Sequence, residues 1–328
     1  MPMLLTPDAD AVTGPLTRRN MLGLGAGAAA LAVLAGCGSG SGQVEPDGPS
    51  RTVEGAFGTV SIPVDPKRVV CTDFYTTYAL LDVGVTPVAT AEASVGGVLP
   101  SLQAAYDAIP KVGRPGTLSF EGIVAQNPDL ILGTVVPTLP PDVPERLGKI
   151  APTLLFPAGT SPGTWQERAV KAADAVGRAP QAEALRDRYT KRADEVGAKH
   201  KDFLSRNRVG LVHGGKGIGF VDLPESWSGV VLTAIGARPP EFAAGKPGAS
   251  EQVSYEQLDV LSDCGVILHL ADTRGQVDAN TQALIQSPPF RALPAAKAKR
   301  VYPLPNYYVS HYGQGLAVLD ELDRLLGR

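Results

Sequence analysis

Four histidines, His200, His213, His269 and His311, are the first place to look for chemistry, and none stands at metal-ligand spacing from another His or from a Cys. The run Gly210-Leu211-Val212-His213-Gly214-Gly215-Lys216 nearly spells a phosphate-binding loop. The next residue is Gly217 rather than the Ser or Thr that would hold magnesium, and "IGFVDLP" follows where a helix would have to face the phosphate. His213-Gly214-Gly215 is like an oxyanion-hole turn, but no G-x-S-x-G elbow supplies a nucleophile. The carboxylates form no motif. A catalytic reading is therefore unsupported by motif, though a missing motif does not exclude an enzyme. The residues left over are Arg, Tyr, Trp and Phe near predicted strand ends, which suit binding rather than bond-making.

One cysteine has a different setting. Cys37 ends the apolar stretch "LAVLAGC" and precedes a Gly-Ser run. Arg18-Arg19 leads a mild apolar segment, Met21 to Ala35, which is the charged and apolar pattern of an export signal. The segment is short of the roughly 20 apolar residues of a membrane span. Leu34-Ala35-Gly36-Cys37 resembles the bacterial lipobox, in which the cysteine is lipidated and becomes the new N-terminus, and "TRRNML" resembles a twin-arginine signal. The expected organisation therefore starts with a lipoprotein signal peptide over 1–36 and a flexible tether over 37–50.

Composition bounds the rest. Of 328 residues 44% are hydrophobic, enough for sizeable cores, and the formal charge of −3 makes bulk nucleic-acid binding a poor prospect. Cys71 and Cys264 sit in or beside strand-like runs and read as buried thiols.

The elements that must position the candidates alternate. "VEGAFGTVSIP" reads as a hairpin, "RVVCT", "VTPVATA", "DLILGT" and "TLLFPA" as strands, and "YALLDVG", "FEGIVAQNP" and "PERLGKIAP" as short helices. Such alternation indicates a parallel sheet covered on both faces. The middle is helical: "TWQERAVKAADAVGR", then "QAEALRDRYTKRADEVGAKHKDF", far beyond the usual ~11–12 residues. Alternation then resumes through "RVGLVHG", "VILHLA" and "RVYPLP". The predicted fold is α/β, with two lobes of largely parallel central sheets joined by a single long rigid helix and a ligand cleft between them. The lobes span 51–163 and 204–328, with the helical linker over 164–203.

Several stretches together resemble the class III solute-binding proteins of ABC importers, which bind ferric siderophores, haem or cobalamin: "VDPKRVVCTDFYTTYALLDVGVTPVAT", "LSFEGIVAQNPDLILG", "LGKIAPTLLF", "VSYEQLDVLSDCGVILHL" and "AKRVYPLP". They run in family order over nearly all of the chain after the signal. Cys264 stands where the family often has Asp. The resemblance implies a non-enzymatic, monomeric, lipid-anchored extracytoplasmic protein. It would have no intrinsic cofactor, would receive iron as a chelate, most expectedly a ferric siderophore, and would deliver it to a permease dimer with its ATPase. Haem or cobalamin binding by the same fold is the alternative, and a secreted lipid-anchored hydrolase is an alternative of another class. Glu121 in "SFEGIV" and Glu256 in "SYEQL" match the family's permease-docking carboxylates. Ligands in open parallel sheets meet loops at strand carboxyl ends. Those loops carry the expected ligand-binding residues Phe74, Tyr75, Arg114, His213, Trp227, Arg274, Tyr307 and Tyr308, with Lys216 and His311 nearby. Arg suits anionic chelates, aromatic faces suit the flat parts of a siderophore, and Tyr or His could complete an incompletely ligated iron.

Overall fold

Residues 43–93, 97–136, 139–157 and 162–327 are described by the structure, a computed structural model. Cys37, the Arg18-Arg19 pair and the rest of the expected signal segment lie outside them.

The N-terminal lobe begins with the expected hairpin, β1 (Ser50–Gly55) against β2 (Gly58–Pro63). Part of the stretch read as tether is folded against the lobe. Val44 N–H donates to Gly148 at 2.8 Å, and Gln43 Oε1 accepts from Thr153 N–H at 3.0 Å. The chain continues through β3 (Val69–Cys71), α1 (Phe74–Asp82), β4 (Ala89–Thr90), α2 (Pro100–Ala108) and a small hairpin of β5 (Gly113–Arg114) and β6 (Thr117–Leu118). Then come α3 (Phe120–Val124), β7 (Leu130–Val135), α4 (Val143–Gly148) and β8 (Thr153–Pro157). The sheet order is β4-β3-β7-β8, parallel throughout. Period-2 geometry sends Val69, Cys71, Leu130 and Leu132 to one face, and Val70 and Ile131 to the other, where they meet Ile123, Val143 and Leu147.

The linker is helical, but it is not one rod. α5 (Trp165–Ala175) turns at Gly177 into α6 (Ala179–Lys199), which carries Pro180 in its first turn, and α7 (Lys201–Arg206) follows. The 21-residue α6 is the long helix of the sequence reading. It ends at Lys199 rather than running on through "HKDF".

The C-terminal lobe holds β9 (Arg208–Gly215), β10 (Ile218–Asp222), α8 (Gly229–Ala234), β11 (Ser250–Val253), β12 (Cys264–Leu270), α9 (Ala279–Gln286), α10 (Pro288–Arg291), α11 (Pro294–Lys297), β13 (Val301–Leu304) and α12 (Tyr312–Leu326). Its sheet order is β11-β10-β9-β12-β13. One strand departs from the largely parallel order expected of this sheet. β9, β12 and β13 pair in parallel, whereas β10 pairs antiparallel with both β9 and β11 and so runs against the other four strands. The reason is local: the Lys216-Gly217 turn, with Gly217 at φ 75°, folds β10 straight back on β9 as a hairpin.

One buried cluster runs through both lobes. Val69, Cys71, Leu132 and Leu154 of the first sheet and Val209, Leu211, Val266 and Leu268 of the second belong to it. Trp165, Ala172, Tyr189 and Val196 of the linker bridge them, with Val318, Leu319 and Leu322 of α12. Gly315 makes the close approach possible, since a Cβ there would stand 2.9 Å from the Tyr189 ring and 3.1 Å from that of Trp165. Truncating such a side chain, Leu132→Ala for instance, costs about 2–5 kcal/mol. Cys71 and Cys264 are both buried free thiols, and burial pushes the Cys71 thiol up to about 12.

Candidate functional site

The carboxyl end of β3 is the topological switch point of the first sheet, because β4 lies on one side of it and β7 on the other. Asp73 follows there and caps α1, its carboxylate accepting from Thr76 N–H at 2.8 Å. The cap fixes the first turn, which carries Phe74 and Tyr75. In the second sheet, the carboxyl end of β9 carries His213, and the segment beyond β13 carries Tyr307 and Tyr308.

These side chains meet. Phe74 and Tyr75 have ring centres 4.2 Å apart, and the Tyr75 hydroxyl lies near the indole of Trp227, in the segment before α8. Trp227 stands edge-on to Tyr308 at 4.8 Å, and Tyr308 lies 6.2 Å from His213. Tyr307 stands 5.5 Å from Tyr308 but is fully buried, so it backs the row rather than facing it. Six of the eight expected ligand residues thus form one continuous aromatic row from lobe to lobe.

His213 is held from two sides. Register pairs it with Phe220 across the β9–β10 hairpin, and the two rings stack at 4.7 Å and 6°. Asp222, two residues beyond Phe220 on the same face, is buried, with Oδ1 3.0 Å from His213 Nδ1. The two atoms are close without being aligned for a hydrogen bond, so Asp222 places a buried carboxyl beside the ring without fixing its tautomer. Burial and the neighbouring Asp222 keep the Tyr307 hydroxyl protonated, its ionisation pushed well above the ordinary range.

Arg168, absent from the sequence candidates, is buried on α5 with its guanidinium 4.5 Å from the Tyr75 ring centre. Burial weakens its hold on the proton, and Asp73 opposes that effect. Asp73 is shifted upward by burial, against the pull of the Thr76 N–H and Arg168. A positive group thus sits beneath the N-terminal end of the row. The sequence held a signal for it. Trp165, Arg168, Ala172 and Ala175 fall on one helical stripe, so the arginine occupies a core position.

Arg114 and Arg274 are not drawn into the row. Arg114 is exposed on the β5–β6 hairpin, with Nε donating to Glu92 at 2.9 Å. Arg274 is exposed in a turn whose backbone N–H donates to Asp272. Lys216 is exposed at the β9–β10 turn. His311 is fully buried and bound to Asp82, so it does not face the cleft. Glu121 is exposed in the first turn of α3, beside an apolar groove that includes Phe120, Val124 and Ile150. Glu256 is exposed on a 3-10 turn, Tyr255–Leu261, opened by a capping box of Ser254 and Gln257. Its own backbone N–H and the Ser254 side chain hold its carboxyl below the usual range. Among the described residues no group of three or more His, Cys, Asp or Glu is arranged to hold a metal, and no helix is long and apolar enough to cross a membrane.

Residues 69–308 match the model of the periplasmic binding protein family. The chain belongs to that family. It is the kind of protein to which the sequence motifs pointed, and the two α/β lobes are its expected fold. This binding protein is 29% identical over 194 residues to the "Probable siderophore-binding lipoprotein YfiY" of Bacillus subtilis, a match covering 58% of each chain. It is 27% identical over 215 residues to the "Iron(3+)-hydroxamate-binding protein YxeB" of the same organism, covering 63% of each. The chain thus spans about three fifths of the length of these curated relatives. Among solved structures, it resembles the siderophore periplasmic binding protein from the fuscachelin gene cluster of Thermobifida fusca. The TM-score is 0.71 at 28% identity, over 80% of this chain and 97% of that one. Staphylococcus aureus SirA, solved with staphyloferrin B, shares the fold at a TM-score of 0.69 and 21% identity.

Proposed function

We propose that this binding protein captures a ferric siderophore in the cleft between its lobes and delivers it to an ABC permease, performing no bond chemistry itself. The observation that carries the reading is the aromatic row of Tyr75, Trp227, Tyr308 and His213 at the sheets' carboxyl ends, with buried Arg168 beneath Tyr75. Aromatic faces accept the planar arms of a chelator, and a desolvated guanidinium favours a net-negative ferric chelate. The names of its relatives support the same ligand class. The iron arrives already chelated, and His213, the imidazole of the row, is the side chain best suited to fill an open iron position.

Delivery completes the proposal. Cys37 carries the lipid that holds the protein at the extracytoplasmic face of the membrane, after export by the twin-arginine route. Glu121 and Glu256, one on each lobe and both exposed, meet basic residues of the permease halves. The testing experiment is calorimetric titration of the purified protein with ferric hydroxamate, catecholate and citrate chelates, haem and cobalamin. The proposal expects saturable one-to-one binding of a ferric chelate. It is abandoned if only haem or cobalamin binds.

A further inference from the structure

Asp82 ends α1 in the N-terminal lobe, while His311 and Gly313 open α12, which packs on β13 and the linker. Asp82 Oδ2 accepts from His311 Nδ1 at 2.7 Å and from the Gly313 N–H at 2.8 Å. The His311 side chain is fully buried and that of Asp82 only 9% exposed. A Cβ on Gly313 would stand 2.6 Å from Asp82 Oδ1, so glycine is what admits the carboxylate. The 15-residue α12 has no side-chain cap from its own N-cap residue, His311. Its cap comes from the other lobe, where a negative charge meets the positive end of the helix. A second contact lies alongside: Gln314 Oε1 accepts from Ser310 N–H and Oγ–H at 2.9 Å, and its Nε2 is 3.5 Å from Gly97 O of the N-terminal lobe.

We propose that Asp82, His311 and Gly313 form a clasp between the lobes that sets the aperture of the ligand cleft. The two segments it joins are those that carry the aromatic row. Phe74 and Tyr75 open α1, about 12 Å along the helix from Asp82. Tyr307 and Tyr308 lie just before His311 in the chain. Fixing Asp82 to the start of α12 therefore fixes the spacing of Tyr75 and Tyr308, which approach Trp227 from opposite lobes. Asp82 and His311 are positioning residues in this account. The effect on ligand binding rests on the siderophore reading, whereas the effect on lobe spacing does not.

The experiment places spin labels at Ala104→Cys and Gln252→Cys, one on each lobe, in a Cys37→Ser background, where buried Cys71 and Cys264 stay unlabelled. The unliganded protein should give one narrow distance, and Asp82→Ala and Gly313→Ala should each broaden it. His311→Asn should stay narrow, because its Nδ2 can occupy the place of the imidazole Nδ1, whereas His311→Ala should broaden. Unchanged widths in Asp82→Ala and Gly313→Ala would overturn the clasp. Should either fail to fold, Asp82→Leu, which keeps the bulk and removes both acceptors, must broaden the distribution, and an unchanged width there overturns it equally. Titration with ferric dicitrate, an anionic chelate, should weaken at least tenfold in Asp82→Ala. If the parent protein binds no ferric chelate the siderophore reading fails, and the distance widths still decide the clasp.

Discussion

The guanidinium of Arg168 lies 4.5 Å from the ring centre of Tyr75, on the linker side of the cleft. It makes the linker helix α5 part of the site as well as a spacer between lobes. An anionic chelate entering against Tyr75 would come within the field of a cation that is 6% exposed. Arg168→Met, which keeps the length without the charge, should lower affinity for an anionic ferric chelate roughly ten- to a hundredfold. Arg168→Lys should restore little, because a point charge lacks the planar face that lies along the ring. Equal affinities in a fluorescence titration of the three proteins would remove Arg168 from the site.

Acid should weaken the fold in two steps. His269 is buried and held below its ordinary value of 6.5 by that burial, so the unfolded chain binds its proton more tightly. Its contribution is complete above 6.5 and is lost as pH falls from there through the lower native value. Asp323 on α12 accepts from Lys199 at 2.7 Å, His200 at 2.7 Å and Arg192 at 3.0 Å, and these donors hold its carboxyl far below its ordinary 3.8. Its contribution is complete above 3.8 and lost only as pH falls further, through the native value. Asp323→Asn should cost about 2 kcal/mol at neutral pH and flatten the more acidic limb. His269→Gln should flatten the limb that begins near 6.5. Urea midpoints across the acid range check both, and limbs that persist in the variants would refute the assignment.

Most of the fold and much of the site were legible in the sequence, for physical reasons that also explain the gaps. Strand-helix alternation is a local signal and was legible. The Asp73 cap and the Gly217 turn are equally local but went unread: α1 starts at Phe74, before the "YALLDVG" stretch, and β10 folds back as a hairpin that was not expected. Phe74, Tyr75, Trp227 and Tyr308 were singled out because strand carboxyl ends follow from that alternation, and the fold brings them together. Arg168 was passed over because a charged residue on a helix is ordinarily read as solvated, although its stripe of Trp165, Ala172 and Ala175 marks a core position. Arg114 looked suited to the cleft from its glycine-flanked turn, yet Glu92 holds it at the surface, and a pair 22 residues apart leaves no pattern. The Asp82–His311 pair, 229 residues apart, is a product of tertiary packing alone. His311 therefore reads as a cleft residue in the sequence and is a buried one in the fold.

The shared core predicts little hinge motion. Opening the lobes by a large angle would expose Trp165, Tyr189 and Leu319, which lie within the cluster common to both sheets. Each costs on the order of 1.5–3 kcal/mol or more to expose. Small-angle scattering with and without a bound ferric chelate should give nearly superimposable profiles. A clear fall in radius of gyration on binding would contradict the shared core as a constraint.

Capture and delivery should separate by mutation. Glu121→Ala and Glu256→Ala should leave ligand affinity unchanged and lower uptake in cells, since neither side chain contacts the aromatic row. Cys37→Ala should move the protein from the membrane to the soluble fraction with its affinity intact. Loss of ligand binding in either Glu variant would place that residue in the cleft, and a Cys37→Ala protein still in the membrane fraction would remove the lipid anchor.

The central claim is that the interlobe row around Trp227 takes a ferric siderophore, and tryptophan fluorescence tests it most directly. The chain has two tryptophans: Trp165, fully buried in the linker core, and Trp227, near the Tyr75 hydroxyl and edge-on to Tyr308 at 4.8 Å. Titration with a panel of ferric siderophores, haem and cobalamin should give saturable quenching by at least one ferric siderophore, most of it lost in Trp227→Phe. Absence of saturable quenching by every ferric siderophore, or quenching that survives Trp227→Phe unchanged, would contradict the account.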